Sequence, residues 1–565
     1  MTKTKTNRSK AVCCLLSVDS QPSTLNKNNI GITTMKYSRL FLFAFMLPAL
    51  QVVQAQTSYE AVALFDSDLG GTARYVGMGG AMSALGADMS TMATNPAGTA
   101  LYRSWDAALS VGGNWVTQGT QSNLGRGRAF NVYGSFDNAG VVIANKKSNG
   151  GVLRFVNFGF NYRNVKRFGG KMVMGSNLNG LSQTGQMAWQ AFQNMDVRYE
   201  DFDLSDPDGF FKKNYYDQSW VGWLTLLGAQ GYLIDKTSLG GEIGGDVYPD
   251  GHYYPSYNNH YQETLSGGID AYDFNLSFNF SDAVYLGATL TSYRVNRKLE
   301  SVYTEKFEDG QYTLENFYRT EGSGYDFKVG VIVRPFSESS FRMGLSATTP
   351  TWYTLRDYNS AILRSEVLLT DGTEDWTEVT TIDTQSSKAF GGDCYTDYTM
   401  VAPFKFNASL GGTIGTSWAL GAEYEYTDYG KAMLYDEYDN ENTEMNEHTA
   451  EYFTAKHTIR LGVEKTFGSF YTRLGYNYQT GGYKQDAWKL IPLNSVQTNT
   501  AFSNIKYTQN YTCGVGFRGD AFYIDAAVLY STQKADFYPF DDPSLEATPL
   551  NRSLVKGMLT IGMRL

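Results

Sequence analysis

The feature that most constrains this chain is an alternation of apolar and polar residues that persists for about four hundred positions. In 271–280, aromatic or Leu side chains occupy every second place, and Asp, Asn or Ser occupies most places between. A period of two puts successive side chains on opposite faces of a strand. After a tight Ser281-Asp282 turn the pattern restarts. The sequence therefore predicts an all-β fold built from many two-faced strands.

The alternation predicts fourteen strands, and their connections differ in length. Short turns alternate with mostly longer loops, of which 169–260 is the longest, as in an outer-membrane barrel. Glu423 and Glu425 lie on the face opposite Trp418 and Leu420, so the charged face belongs in a lumen and the apolar face in lipid. Lipid offers no water to open sheet edges, so the sheet must close. We predict a 14-stranded antiparallel transmembrane β-barrel with strands at 106–117, 129–145, 152–168, 261–280, 283–306, 317–335, 341–365, 394–414, 418–435, 449–467, 470–485, 506–518, 521–537 and 552–565.

The start of the chain has the pattern of an export signal. Lys36 and Arg39 precede a short apolar run, and small residues stand just ahead of Gln56. We predict that 1–55 is a leader and signal peptide whose true start is Met35. The mature chain then has 40 basic and 56 acidic residues, a net charge of −16, which argues against nucleic acid as a partner.

The stretch 70–101 shows neither strand nor helix periodicity, and it is rich in Gly, Ala and Met. Fourteen strands enclose a lumen between the side-chain-filled interior of about eight strands and the aqueous channel of 16–18. We therefore predict that 56–104 is an N-terminal hatch plugging the lumen and that 105–565 is the barrel.

The hatch motifs resemble those of a known family. The runs Gly71-Thr72-Ala73, Gly77–Ala81 and Asn95-Pro96-Ala97-Gly98 are similar to the hatch of the FadL/TodX family, outer-membrane transporters of long-chain fatty acids and aromatic hydrocarbons. The resemblance implies that a hydrophobic ligand enters from loops, reaches a lumenal pocket and leaves sideways through the wall when the hatch shifts. It also implies that Asn95, Pro96, Ala97 and Gly98 form a gating element; the alternative is a structural turn before the first strand.

The long loop supplies candidate ligand-binding residues. Apolar side chains recur there at helical spacing, which predicts two amphipathic helices and a groove for an apolar ligand. The alternative is that the two helices pack on each other as a local core. The proposed groove residues are Met187, Phe192, Trp220, Trp223, Leu224 and Leu227.

The sequence nominates no catalytic set, metal site or cofactor. His252 and His260 lie in or near a tyrosine-rich loop, where haem is a weaker alternative to simple solvation. Cys394 and Cys513, the mature chain's two cysteines, are expected not to pair.

We therefore predict a non-enzymatic, monomeric protein of the bacterial outer membrane. It would take up hydrophobic small molecules passively, with such a ligand and the membrane lipids as its partners. The alternatives are an accessory of a secretion system that binds protein cargo and, more weakly, a haemin receptor.

Overall fold

Nineteen strand segments of the computed structural model form one closed antiparallel sheet. The structure describes residues 56–122, 125–147, 151–175, 178–193, 216, 221–234, 254–370, 375–386 and 393–564. The segments are β1 (Asp106–Ser122), β2 (Gly125–Lys146), β3 (Leu153–Arg167), β4 (Gly170–Met174), β5 (Ser256–Phe280), β6 (Val284–Phe307), β7 (Gly310–Val333), β8 (Arg342–Thr348), β9 (Thr351–Thr370), β10 (Asp375–Asp383), β11 (Cys394–Ala402), β12 (Lys405–Ile414), β13 (Trp418–Asp428), β14 (Met433–Tyr435), β15 (Ala455–Phe467), β16 (Phe470–Thr480), β17 (Phe502–Arg518), β18 (Phe522–Tyr538) and β19 (Thr548–Arg564).

These segments make fourteen barrel strands, because several are pieces of one strand. β3 with β4, β8 with β9, β10 with β11 and β12, and β13 with β14 each share one position in the wall. β1 pairs with β19 from Asp106–Arg564 to Thr120–Leu550, which closes the sheet. The predicted 14-stranded antiparallel barrel is confirmed.

Two prolines interrupt barrel strands. Pro350 lies between β8 and β9, and Pro403 lies between β11 and β12. Proline has no N–H to donate to a β ladder, so each of these predicted continuous strands is split.

Strand ends also differ from the prediction. The expected loop at 307–316 is only the Glu308-Asp309 turn, because β6 and β7 stay paired as far as Phe307 and Gly310. The predicted strand 449–467 begins within a helix, Thr443–Tyr452, and its strand starts at Ala455.

The helices lie before the barrel or in its long loops. They are α1 (Ser58–Phe65), α2 (Ala73–Gly77), α3 (Gln183–Gln193), α4 (Trp223–Gln230) and α5 (Thr443–Tyr452), with short 3₁₀ turns at Met89–Ala93, Pro96–Leu101, Thr384–Ser386 and Tyr429–Lys431. None of the helices in the described ranges is both long and apolar enough to cross a membrane.

The two faces of the wall differ as the sequence predicts. Leu420, Tyr424 and Ile561 are exposed on the outside, while Glu423 and Lys556 are buried inside. Because an apolar exterior of this kind is stable only in lipid, the closed barrel places the protein in the bacterial outer membrane, as predicted.

Candidate functional site

Residues 56–104, here called the N-terminal segment, pack against the inner face of the wall. Gly79 and Gly80 have positive φ angles of 64° and 82°, which give this part of the segment its tight turn. The backbone then approaches the wall so closely that a Cβ on Gly421 would lie 2.0 Å from the Ala81 carbonyl oxygen. A Cβ on Gly475 would lie 2.1 Å from the Gly79 nitrogen. The Gly77–Ala81 motif therefore serves close backbone packing.

A row of wall glycines makes that approach possible. Gly411 pairs with Gly421, Gly421 with Gly462, and Gly462 with Gly475, so four glycines stand side by side across β12, β13, β15 and β16. We call these four residues the glycine row. Sequence reasoning passed over it, although each glycine takes an inward place between apolar neighbours, where most strands carry a polar residue.

The Asn95–Gly98 motif sits on a second pair of wall glycines. Asn95 accepts a hydrogen bond from the Ala97 N–H (3.1 Å) and donates to the carbonyl of Val331 (3.3 Å). A Cβ on Gly330 would lie 2.0 Å from the Asn95 side-chain oxygen, and one on Gly287 would lie 2.3 Å from the Pro96 carbonyl carbon. The four motif residues are buried together, and their gating role stays a prediction.

The N-terminal segment is also attached to β3. The Asp68 N–H donates to the Val165 carbonyl (3.0 Å), and the Arg167 N–H donates to the Asp68 carboxylate (3.2 Å). Asp66 pairs with Lys166 (3.0 Å) and with Lys456. Burial alone would raise the pKa of the Asp66 carboxyl, but the two ammonium groups outweigh burial and hold it well below its usual range. We call these contacts of Asp66 and Asp68 the latch.

The latch binds the part of β3 that does not pair with β2. β2 and β3 pair only from Asn138–Arg163 to Lys146–Phe155 within the described residues. Beyond Arg163, β3 keeps its pairing with β5 but has none with β2, and we call this gap the β2–β3 break. Tyr133 stands across it, because a Cβ on Gly169 would lie 2.7 Å from the Tyr133 ring. Beside the break, β2 exposes Phe130 and Phe136 on the outside.

A cavity of about 220 Å³ lies between α1 and the wall next to this break. We call it the wall cavity. Its lining combines apolar side chains with both signs of charge, and it includes residues 166–170 at the break itself. The other lining residues are Tyr59, Glu60, Ala63, Asp66, Asp68, Gln118, Met172, Glu263, Leu265, Arg297, Leu299, Tyr483, Asn499, Ala501, Phe502, Ser503, Ile505, Gln533, Ala535, Phe537, Leu550 and Arg552.

The rest of the lumen around the N-terminal segment is crossed by ion pairs. Arg473 is fully buried and bridges Glu464 and Asp525, both at 2.6 Å. Arg74 of the N-terminal segment joins the same group through Glu464 at 3.2 Å. An apolar molecule moving straight down the lumen would have to separate these charges, which is costly in a poorly hydrated space.

The predicted groove residues lie at the barrel mouth, in a packed cluster. Met187, Trp223, Leu224 and Leu227 are each at most 1% exposed and pack with wall residues such as Tyr303. Trp220 lies outside the described residues, as does the side chain of Phe192. The observed packing matches the alternative of a local core, and a ligand role for these residues stays a prediction.

The mouth cluster is fastened to the wall by polar contacts. The Gln183 N–H at the start of α3 donates to Glu305 (3.1 Å), which also accepts hydrogen bonds from Tyr303 and Tyr312 (2.8 Å each). The backbone N–H of Trp223, at the start of α4, donates to the Ser495 carbonyl (2.9 Å). The described part of the long loop, α3 and α4, is thus anchored at the mouth, and we call these two helices the anchored cap.

The described residues form neither a metal site nor a disulfide. No group of three His, Cys, Asp or Glu residues among them could hold a metal ion. His260 is exposed, and His252 lies outside the described ranges. No disulfide joins Cys394, which is buried, to Cys513 on β17.

Comparison with known proteins yields structural neighbours. No family model and no curated protein matches the sequence. A FadL homologue of Pseudomonas aeruginosa is 10% identical over 88% of this chain and 99% of its own, with a TM-score of 0.48. At the same coverages, the toluene transporter TodX of P. putida is 10% identical with a TM-score of 0.45, and TbuX of Ralstonia pickettii is 12% identical with 0.44. Likenesses this distant carry no argument, so the fold rests on this chain's own strand pairing.

Proposed function

We propose that this protein takes up hydrophobic small molecules passively across the outer membrane, in the manner of FadL/TodX transporters. The observation that carries the proposal is the wall cavity, which is partly apolar and lies directly beside the β2–β3 break. A ligand that enters lipid through the break is never hydrated again, which favours the sideways route for an apolar molecule.

In this proposal the N-terminal segment is the hatch. The latch connects Asp66 and Asp68 to residues 165–167, so a movement of the segment would move the edge of the break. Asn95–Gly98 is the seat about which the hatch turns, because this motif rests on Gly287 and Gly330.

The wall cavity sets the size of the proposed ligand. A dry cavity of about 150 Å³ is known to hold benzene, so about 220 Å³ suits a single ring with a short substituent. A long-chain fatty acid would need more room than the wall cavity offers.

The break can be tested with two glycines at the same edge of the wall. We propose Gly169→Leu, which puts a side chain against Tyr133 and fills the break. The control is Gly134→Leu, because Gly134 is exposed on β2 and a Cβ there meets only the Gly112 carbonyl oxygen, at 3.9 Å. Uptake of radiolabelled toluene is measured in bacteria that express each variant and in bacteria without the protein.

We expect Gly169→Leu to lower protein-dependent uptake at least about fivefold, and Gly134→Leu to leave it unchanged. Uptake that does not depend on the protein at all would refute the transport function. Uptake that depends on the protein but survives Gly169→Leu would refute only the sideways route. Co-purification of a secreted protein, or haemin binding in place of toluene uptake, would favour the alternative functions.

A further inference from the structure

Arg297 stands out among the residues that line the wall cavity. It projects inward from β6 and is 7% exposed. Among the described residues, its Nε and one terminal nitrogen, Nη1, have no hydrogen-bond partner. Its carbon Cζ lies 5.6 Å from the centre of the Phe168 ring and 5.5 Å from that of the Tyr318 ring, so the guanidinium is held between two aromatic faces. Such a charge is costly to bury with its N–H groups unmet.

The neighbouring acids leave these N–H groups free. One carboxylate oxygen of Glu60 pairs with Lys489 at 2.8 Å and the other has no partner among the described residues, while Glu263 accepts a hydrogen bond from the Tyr261 hydroxyl at 2.8 Å. Glu263 and Arg297 form no ion pair among the described contacts. A planar guanidinium binds the two oxygens of a carboxylate either through Nε and Nη2 or through its two terminal nitrogens, and the unpartnered Nε and Nη1 of Arg297 each belong to one of these pairs.

We propose that Arg297 is an anion-binding subsite of the wall cavity and that the preferred ligand is a small aromatic carboxylic acid. The carboxylate pairs with Arg297, and the ring lies against apolar lining residues such as Leu299, Phe502 and Phe537. This inference rests on the proposed uptake function and narrows its substrate from hydrophobic compounds in general to compact acids with one ring.

Phenylacetate and its neutral isostere phenylacetamide test the subsite in the purified full chain in detergent. Calorimetric titration should show phenylacetate binding at least about tenfold more tightly, since hydrogen bonds to charged groups are the stronger ones. Arg297→Gln should abolish this preference, and Arg297→Lys should keep part of it. The matched control is Arg356→Gln, because Arg356 is exposed and pairs with Asp397 (2.6 Å) away from the cavity.

A second variant guards against misfolding of Arg297→Gln. Ala63 on α1 lines the cavity and is only half-buried, so Ala63→Trp should fill the space and remove phenylacetate binding. Equal binding of phenylacetate and phenylacetamide to the wild type overturns the subsite. So does a preference that survives Arg297→Gln, in which case the guanidinium meets only water. Either result leaves toluene uptake, and with it the proposed transport function, standing.

Discussion

At the residue scale, glycine decides how closely the N-terminal segment can approach the wall. Gly421, Gly462 and Gly475 take inward positions where a Cβ would fall within 2.4 Å of backbone atoms of residues 78–81. Because these contacts join backbone to backbone, no flexible side chain can move aside. Even one added methyl group must therefore displace the segment or the strand.

We predict that Gly421→Ala destabilises the protein by about 1–3 kcal/mol through this overpacking. Gly134→Ala is the control, because the atom nearest to its Cβ lies at an ordinary van der Waals distance. This substitution should not lower the free energy of unfolding. Urea unfolding in detergent, followed by tryptophan emission, measures the difference. Equal stability of the two variants would show that the segment does not rest on the glycine row.

His448 on α5 is a titratable residue that contacts the N-terminal segment. Its Nδ1 lies 2.9 Å from the Ser58 hydroxyl oxygen at the start of α1, and its ring contacts Trp488. Burial lowers the pKa of His448 to about 4, although a backbone hydrogen bond at Trp488 partly opposes this. The folded ring therefore stays neutral at pH values where an unfolded histidine, with its pKa near 6.5, is charged.

This difference predicts a loss of stability in mild acid. Between about pH 6.5 and 4 the unfolded state binds more protons, so the free energy of unfolding falls as the pH falls, by up to about 3 kcal/mol from this ring. His448→Gln should lose less over the same range, whereas His457→Gln, which leaves the Ser58 contact intact, should follow the wild type. Urea titrations at several pH values measure it, and identical slopes for all three proteins would contradict the assignment.

At the element scale, the latch and the β2–β3 break belong to one arrangement. β3 gives up its pairing with β2 beyond Arg163, and residues 66–68 of the N-terminal segment supply hydrogen bonds to residues 165–167 on the lumenal side. Where a strand edge has no neighbouring strand, its backbone N–H and C=O groups form hydrogen bonds with other donors and acceptors nearby. The position of the segment and the geometry of the break are therefore coupled.

We predict that Asp66→Asn loosens this coupling. It leaves Lys166 and Lys456 without their shared carboxylate in a partly buried setting, which should lower the free energy of unfolding by about 1–3 kcal/mol. Single-channel recordings in planar bilayers should show more frequent openings than in the wild type. Asp520→Asn, in an exposed turn, is the control. Recordings as quiet as the wild type would show that the latch does not hold the segment closed.

At the scale of the whole molecule, the described residues inside the barrel and at its mouth form separate packed clusters. The N-terminal segment packs against the inner face of the wall, and α3 and α4 pack in the cluster at the barrel mouth. In the proposed function, lumenal ion pairs such as Arg473–Asp525 favour the sideways break as the route for an apolar ligand.

We predict that deleting 56–104 from the mature chain converts a quiet barrel into an open channel. A lumen of fourteen strands is too wide for its own side chains to fill, so ions should pass once the segment is gone. Conductance in planar bilayers should rise at least about tenfold, while altered migration of unheated protein on gels reports that the barrel is folded. A folded deletion variant with wild-type conductance would show that the segment does not block the lumen.

Parts of this architecture could be predicted because they depend on neighbouring residues alone. The strand count follows from period-two alternation. The start of β7 at Gly310, in place of the predicted 317, could not be predicted, because cross-strand pairing with β6 extends the strand beyond the length that the membrane requires. The spacing of Met187 and Trp223 predicts that they lie on helices. It does not tell whether those helices form a ligand groove or a packed core.

The sequence by itself determined the two-faced wall, its fourteen strands and the Gly- and Ala-rich segment ahead of it, because these are written in local periodicity and composition. Only the tertiary structure decided that Gly411, Gly421, Gly462 and Gly475 form one row, that Asp66 meets Lys166, and that Arg297 faces a cavity. The physical reason is register: one residue of slip turns an inward side chain outward, and register is set by the pairing of strands far apart in the chain.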